Sequence, residues 1–205
     1  MGLFSKNKKD EPLREEGVFK KFLEAYKAPN DLRKPTKEML DFYTDKLPKE
    51  LLDFWIDYGF GNYANGLIKV IEPSDYMDSF YTWTGEEDHS KLPILVTAFG
   101  DVFYYRKLSD SEEDVCLLNV HYRKIDVCEY SLLDFFQNYI VNEELSQELL
   151  KKQLFSQAMK NLGQLSEDEI YFFSPALILG GAEDIKYIDK GDGNVHQLIL
   201  HQLGS

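Results

Sequence analysis

The spacing of hydrophobic residues predicts helices in the first third of the chain. A helix that ends before Pro29 is indicated by apolar residues at the interval of one helix face: Val18, Phe19, Phe22, Leu23 and Tyr26. A second short helix follows Thr36. A third is expected between Pro48, a favoured residue for a first helical turn, and Gly59, a favoured residue for a helix end.

Beyond the glycine-rich stretch 59–66 the hydrophobic period changes towards two, which predicts β-strands. A short helix over 74–80 follows the first of them. Gly100-Asp101 is a tight connection, and the acidic stretch 109–114 is a longer solvated hairpin loop. The expected strands, which form an antiparallel meander, are 67–71, 93–99, 102–107, 115–120 and 124–129.

Helical spacing returns after the strands. Ser131 is expected to cap a helix over 132–141, Ser146 to cap another that ends at Gly163, and Asn194 to cap a last one. The last helix is expected to bury Val195, Leu198, Ile199 and Leu203.

Helices segregated from a largely antiparallel sheet indicate the α+β class. We expect a flexible leader (1–14), an α+β domain (15–129) and a helical or α+β C-terminal domain (130–205). The pattern leaves open whether the two domains share one core.

Charge and composition exclude several classes of protein. The 36 acidic and 23 basic residues give a net charge of −13, which opposes direct binding to nucleic acid or to anionic membranes. A hydrophobic content of 43% excludes a disordered acidic tail. The apolar stretch 171–182 is interrupted and too short to span a bilayer, and the N-terminus lacks a signal-peptide pattern. A cytoplasmic location is therefore expected.

The motifs for catalysis or cofactor binding are incomplete. Gly59-x-Gly61-x-x-Ala64 matches a relaxed dinucleotide fingerprint, but here a helix precedes the glycines and a strand follows, the reverse of the required order. His196 and His201 are five residues apart and diverge on a helix, so they do not form a metal pair. Two cysteines, Cys116 and Cys128, are interpreted as reduced thiols in paired strands. We expect no enzyme activity, no metal and no cofactor.

A partner-binding surface is the remaining candidate site, because aromatic residues lie among acidic ones. Tyr104 and Tyr105 are adjacent on a strand, so at most one is expected to face the core while the other is available for contact. The alternative is that most of the aromatic residues are core and the acids a solvated face. The candidate contacts are Trp83, Glu86, Glu87, Asp88, Tyr105, Asp110, Glu112, Glu113 and Asp114.

Three stretches resemble known bacterial families. Residues 47–66, with Glu72-Pro73 after them, and the segment Thr97-Ala-Phe-Gly-Asp101 are similar to the GAD-like domain. Residues 163–181 resemble the C-terminal domain of type VI secretion DNase immunity proteins. The resemblance implies an α+β fold distantly related to SUKH-type immunity proteins and a cytoplasmic protein that neutralises a cognate toxin. It brings no catalytic motif, and it does not identify the contact residues.

Three hypotheses follow. The first is an immunity protein that occludes a basic toxin, such as a secreted nuclease, by stoichiometric binding through an acidic face. The second is an interaction or regulatory module of the same fold without a toxin. The third is a small-molecule-binding or enzymatic domain with a pocket where the meander meets the C-terminal helices.

Overall fold

The computed structural model describes residues 17–204, so the leader predicted at 1–14 lies outside the described residues. The helix α3 begins after Pro48 and ends before Gly59, as predicted. Within 17–204 the helices are α1 (Lys20–Ala25), α2 (Lys37–Tyr43), α3 (Lys49–Asp57), α4 (Met77–Thr84), α5 (Leu132–Asp134), α6 (Glu143–Leu149), α7 (Lys152–Leu162) and α8 (Gly193–Leu203).

Strands in the described residues form two antiparallel sheets. Six strands follow one another in chain order across the larger sheet, which confirms the predicted meander and the α+β class. The first of these strands was not expected from the sequence. The strands of this sheet are β1 (Gly61–Tyr63), β2 (Ile68–Val70), β3 (Lys91–Thr97), β4 (Val102–Lys107), β5 (Glu113–Asn119) and β6 (Lys124–Glu129), and the smaller sheet pairs β7 (Glu169–Phe173) with β8 (Ile188–Asp192).

Both faces of the larger sheet are covered at β4, which explains the long apolar run of this strand. Phe103 and Tyr105 point to one face, where they join the main core with Phe54 and Phe136 from the helices. Val102 and Tyr104 point to the opposite face, which α4 and α8 cover; Tyr104 lies 4.9 Å from Phe80 between ring centroids. Both adjacent tyrosines are therefore buried, with 2% and 4% exposure. The expectation that one of them would be available for contact is wrong, because the sheet has no solvent-facing side at β4.

The β7–β8 hairpin packs against the turn between β3 and β4. The backbone N–H of Tyr171 donates to the carbonyl of Ala98 at 2.8 Å, and the rings of Phe99 and Phe173 stack at 5.5 Å. A single hydrophobic cluster includes residues from Phe19 to Ile188. Residues of both the N-terminal and the C-terminal segments therefore contribute to this cluster.

Two helix predictions after the sheet are wrong in detail. Residues 132–141 do not form one α-helix: after α5 the chain continues as a π-helical segment, Phe135–Tyr139. Ser146 does not begin a helix, because the side chain of Asn142 accepts the N–H of Leu145 and starts α6 earlier. The helix then breaks at Lys151, whose backbone is left-handed (φ 48°), before α7 continues to Gly163.

The last helix, α8, turns a different face to the core from the one that was predicted. Asp192, not Asn194, caps α8 by accepting the N–H of Val195 at 2.9 Å. Val195, Ile199 and Leu203, which were expected in the core, are 55%, 42% and 42% exposed. The buried positions are Gly193, Gln197 and Leu200. Gln197 is held inside because its amide donates to the carbonyl of Gly100 at 2.7 Å and its Oε1 accepts the hydroxyl of Ser79 at 2.7 Å.

The glycine-rich stretch has a backbone role. Gly59 has φ 98°, and a Cβ there would come within 2.5 Å of the carbonyl oxygen of Arg33. The chain can therefore turn from α3 towards β1 only with glycine at this position. Cys116 on β5 is buried and Cys128 on β6 is half-buried; both are free thiols in paired strands, as predicted.

Candidate partner-binding surface

The two acidic loops identified in the sequence meet at one end of the larger sheet. The backbone N–H of Lys107, the last residue of β4, donates to the carbonyl of Ser90, the last residue of the α4–β3 loop, at 3.0 Å. Because β3 and β4 are paired here, with Lys91 opposite Arg106, the loops emerge side by side. The fold thus joins two stretches about twenty residues apart into one surface.

The first loop follows α4. Gly85 ends this helix with a left-handed backbone (φ 75°), and Glu86 and Glu87 then lie exposed. Lys91 pairs with Glu86 and, at 3.2 Å, with Asp88. Hydrogen bonds from the hydroxyl and the N–H of Ser90 hold the pKa of Asp88 below its usual range.

Trp83 lies behind this loop rather than on its rim. Its indole N–H donates to the carbonyl of Gln197 at 3.0 Å, and the guanidinium of Arg123 lies 5.3 Å from the ring centroid. The ring is half-buried between α4 and the end of α8. Trp83 therefore joins the two helices, and part of its ring remains accessible.

The second loop is the β4–β5 hairpin. The carbonyl of Glu112 accepts the N–H groups of Leu108 and Ser109 at 2.9 and 3.0 Å, which closes the loop and leaves the Glu112 side chain exposed. The Asp110 side chain is fully exposed, and its carboxylate lies 3.8 Å from the ammonium of Lys107. Asp110 and Glu112 are therefore available to a partner.

Three of the predicted contact residues hold the hairpin instead. The carboxylate of Glu113 accepts the hydroxyl of Tyr105 at 2.9 Å and the N–H of Leu132 at 2.8 Å, so it ties β5 to β4 and to α5. Asp114 is 1% exposed and receives two hydrogen bonds from Arg106. Tyr105 and Asp114 are buried, and Glu113 is half-buried.

A groove of about 620 Å³ opens beside the hairpin. Its walls are the β4–β5 loop, the turn between α2 and α3, and the start of α5. Tyr130, at the rim, is 74% exposed and was missed in the sequence, where a single tyrosine at a strand end carries no distinct signal. The lining residues are Thr44, Asp45, Lys46, Leu47, Pro48, Tyr105, Lys107, Ser109, Asp110, Ser111, Glu112, Glu113, Tyr130 and Ser131.

Acids outnumber bases in this groove. Asp45, Asp110, Glu112 and Glu113 line it together with two lysines. The ammonium of Lys46 lies 3.0 Å from the ring centroid of Phe42, and that of Lys107 lies near Asp110. The four acids exceed the two lysines, so the groove carries a net negative charge that favours a cationic ligand. We refer to the two acidic loops (86–88 and 109–112) and this groove as the hairpin surface.

A second, smaller cleft of about 160 Å³ lies where β2 meets the loop before β7. Lys69 is 1% exposed there and donates to the carbonyls of Ser166 and Glu167 at 2.8 and 2.9 Å and to the side chain of Asn62 at 2.8 Å. Burial lowers the pKa of Lys69 to about 8. All three ammonium protons have acceptors, so Lys69 links the loop before β7 to the larger sheet through hydrogen bonds.

Within residues 17–204 no three His, Cys, Asp or Glu side chains are arranged to hold a metal ion. In the same residues no helix has the length and apolar character needed to cross a bilayer.

By its fold the chain is an α+β protein with helices on both faces of an antiparallel meander. Residues 17–118 match the family model of the GAD-like domain, and residues 131–204 match that of the C-terminal domain of the T6SS immunity protein Tdi1. These matches confirm the resemblance to the two families that the motifs of the sequence predicted.

The fold is also similar to the crystal structure of Atu4351 from Agrobacterium tumefaciens. The TM-score is 0.69 at 17% sequence identity, and the similarity covers 90% of this chain and 88% of that one. At this identity the similarity shows the fold alone. A search of curated proteins found no match.

Proposed function

We propose that this protein is a type VI secretion immunity protein that binds a cognate toxin, a nuclease, in the cytoplasm and neutralises it by stoichiometric occlusion. The observation that carries the proposal is the match of residues 131–204 to the Tdi1 immunity domain, directly after a GAD-like domain in the same chain. In this role the protein is a binder and not an enzyme.

The hairpin surface is the proposed contact site. A nuclease needs a cationic groove to hold the phosphates of its substrate. An acidic surface complements such a groove and competes for the same positive charges. Glu86, Glu87, Asp88, Asp110 and Glu112 supply this charge at one end of the sheet.

The buried candidates have a supporting role in the proposal. Tyr105, Glu113 and Asp114 fix the hairpin through hydrogen bonds, so the acidic loop is presented on a rigid base. A preorganised loop loses less conformational entropy when it binds. Trp83 holds α4 against α8 beneath the other loop.

The test is co-expression with the toxin encoded beside the gene for this protein. Protection of the cells supports the role, and the purified protein should abolish nuclease activity at an equimolar ratio. Protection by a protein that does not bind the toxin, or binding without inhibition, would contradict occlusion. Failure to protect against the neighbouring toxin, together with failure to bind it, would contradict the immunity role.

A further inference from the structure

The last strand of the larger sheet, β6, has a free edge within residues 17–204. It pairs with β5 on one side, and among these residues no other strand and no further backbone hydrogen bond joins its outer side. Residues 124–129 contain no proline, so each keeps its backbone N–H. In an antiparallel pair the N–H and C=O groups of alternate residues point away from the partner strand. The outer side of β6 is therefore a row of donors and acceptors that matches one kind of ligand, an extended main chain.

Two apolar side chains of β6 lie uncovered beside this edge. Ile125 lies opposite Leu118 of β5, and residues directly opposite each other share a face of the sheet. Val127 lies opposite Cys116 in the same way. Leu118 and Cys116 are buried in the cluster on the side of α4 and α8, whereas Ile125 is 48% and Val127 44% exposed. The covering helices therefore stop short of β6, and the side chains of an added strand would pack beside Ile125 and Val127.

The other face of β6 is occupied by the protein itself. Cys128 packs against the main core, as does Tyr139 of the π-helical segment. The ammonium of Lys124 lies 2.8 Å from the carboxylate of Asp126 on the same strand, so these two charges already compensate each other. Selectivity for an added strand is therefore expected from Ile125 and Val127.

The edge of β6 leads directly into the groove of the hairpin surface. The strand ends at Glu129, and the next two residues, Tyr130 and Ser131, line the groove. Four acids and two lysines line the same groove, which favours a cation. A segment that pairs with β6 and continues past Glu129 reaches this groove, where a basic side chain of the segment meets the acids.

We propose that β6 receives an extended segment of the toxin as a seventh strand of the larger sheet. Apolar residues of this segment pack beside Ile125 and Val127, and a basic residue beyond them enters the groove. The inference rests on the proposed function and adds the form of the contact to it. A second copy of this chain is a poorer occupant, because pairing two β6 edges brings together two chains that each carry a net charge of −13.

Hydrogen exchange of the backbone amides, measured by NMR on the full chain alone and with the neighbouring toxin, tests the proposal. In the free protein about half of the β6 amides should exchange quickly, because they point away from β5. In the complex these amides should exchange about tenfold more slowly or less. Unchanged exchange in β6 when the toxin is bound and inhibited would overturn the proposal and leave the immunity role standing. Slow exchange of all β6 amides in the free protein would also overturn it, because the edge would then be occupied already.

A double substitution tests the two side chains. Ile125→Thr with Val127→Thr keeps the branched Cβ atoms that suit a strand but removes apolar surface, so the dissociation constant for the toxin should rise about fivefold. Ile178→Thr with Leu179→Thr is the matched control, because these residues are 42% and 57% exposed outside β6. The control should bind as wild type does, and thermal unfolding checks that both variants are folded.

Three results of this experiment would overturn the proposal. The first is equal affinity of wild type and the β6 variant for the toxin. The second is a wild-type dimer in sedimentation that the β6 variant loses, which would assign the edge to a second copy. The third is a wild type that does not bind the toxin, which would overturn the proposed function as well.

Discussion

Arg106 and Asp114 face each other across β4 and β5, and the guanidinium Nε and Nη2 donate to separate carboxylate oxygens at 2.9 and 2.6 Å. The carboxylate is 1% exposed, and its hydrogen bonds raise the pKa of Arg106. This pair lies at the base of the hairpin that carries Asp110 and Glu112. One acid of the predicted contact set, Asp114, is thus part of the scaffold, and the exposed acids of the hairpin depend on it for their position.

Replacing Asp114 with alanine should destabilise the fold. The change leaves Arg106 partly buried without its partner, which costs about 3 kcal/mol when one member of a buried pair is removed. Asp110→Ala, in the same hairpin but fully exposed, should change the free energy of unfolding by about 0.5 kcal/mol or less. Urea denaturation of both variants measures the difference. Equal stabilities would show that the buried pair does not hold the hairpin.

Reversing the exposed acids should slow binding to the toxin without unfolding the protein. The variant Asp110→Lys with Glu112→Lys removes negative charge from the hairpin surface, and its association rate should fall about tenfold at low salt, with a weaker salt dependence. Stopped-flow association kinetics measure this rate.

The control for this reversal is Glu144→Lys with Glu148→Lys, which makes the same charge change at exposed positions of α6. If both double variants slow association equally, the effect comes from the total charge and not from the hairpin surface.

Trp55 should be essential for stability through its volume and not through its polar group. Its side chain is 0% exposed, and its ring lies 4.9 Å from that of Phe60. Trp55→Ala should cost about 3–5 kcal/mol, the range for truncating a large aromatic residue in a core. Among residues 17–204 the indole N–H is buried without an acceptor, so Trp55→Phe, which removes it, should cost much less. Thermal unfolding of the two variants distinguishes the contributions.

Stability should fall in acid because of two histidines, the buried His121 and the half-buried His196. Burial lowers the pKa of His121 and of His196 to about 4, whereas an imidazole in the unfolded chain takes up its proton near pH 6.5. Between about pH 6.5 and 4 the unfolded state therefore binds more protons than the folded state. The stability that the two neutral histidines contribute is lost as the pH falls through this range. Asp101 acts in the opposite direction, because burial raises its pKa to about 7.

The variant His196→Phe separates the contribution of His196 from those of His121 and Asp101. Phenylalanine keeps a ring stacked on Phe172, which lies 3.7 Å from the His196 ring, but does not titrate. The variant should lose less stability than wild type between pH 6.5 and 4 in urea titrations. An identical pH profile for the two proteins would contradict the contribution of His196.

The strands of the meander could be predicted because their apolar and polar residues alternate, or because they form apolar runs bounded by turns. The β1 strand was missed because three residues, one of them Gly61, carry no periodic signal. The β8 strand was missed because Lys190 and Gly191 make it look like a loop; its partner β7 supplies most of the apolar side chains. In each case tertiary pairing, and not local pattern, decides the conformation.

The face of α8 was mispredicted for a different reason. Hydrophobicity assigned Ile199 to the core, but Gln197 occupies it, because Gly100 and Ser79 offer the amide its partners from distant parts of the chain. The acidic loops could likewise be identified as solvated. Their position side by side, with a hydrogen bond between Lys107 and Ser90, depends on the register of the sheet. Long-range hydrogen bonds of this kind cannot be recognised in a single sequence.

The most direct test of the central claim is a titration of the neighbouring toxin's nuclease activity with this purified protein at fixed toxin concentration. The account predicts a linear loss of activity that reaches zero at one molecule of this chain per toxin molecule. Activity that persists at a large molar excess of the protein, under conditions where the toxin is active and the protein is folded, would contradict it.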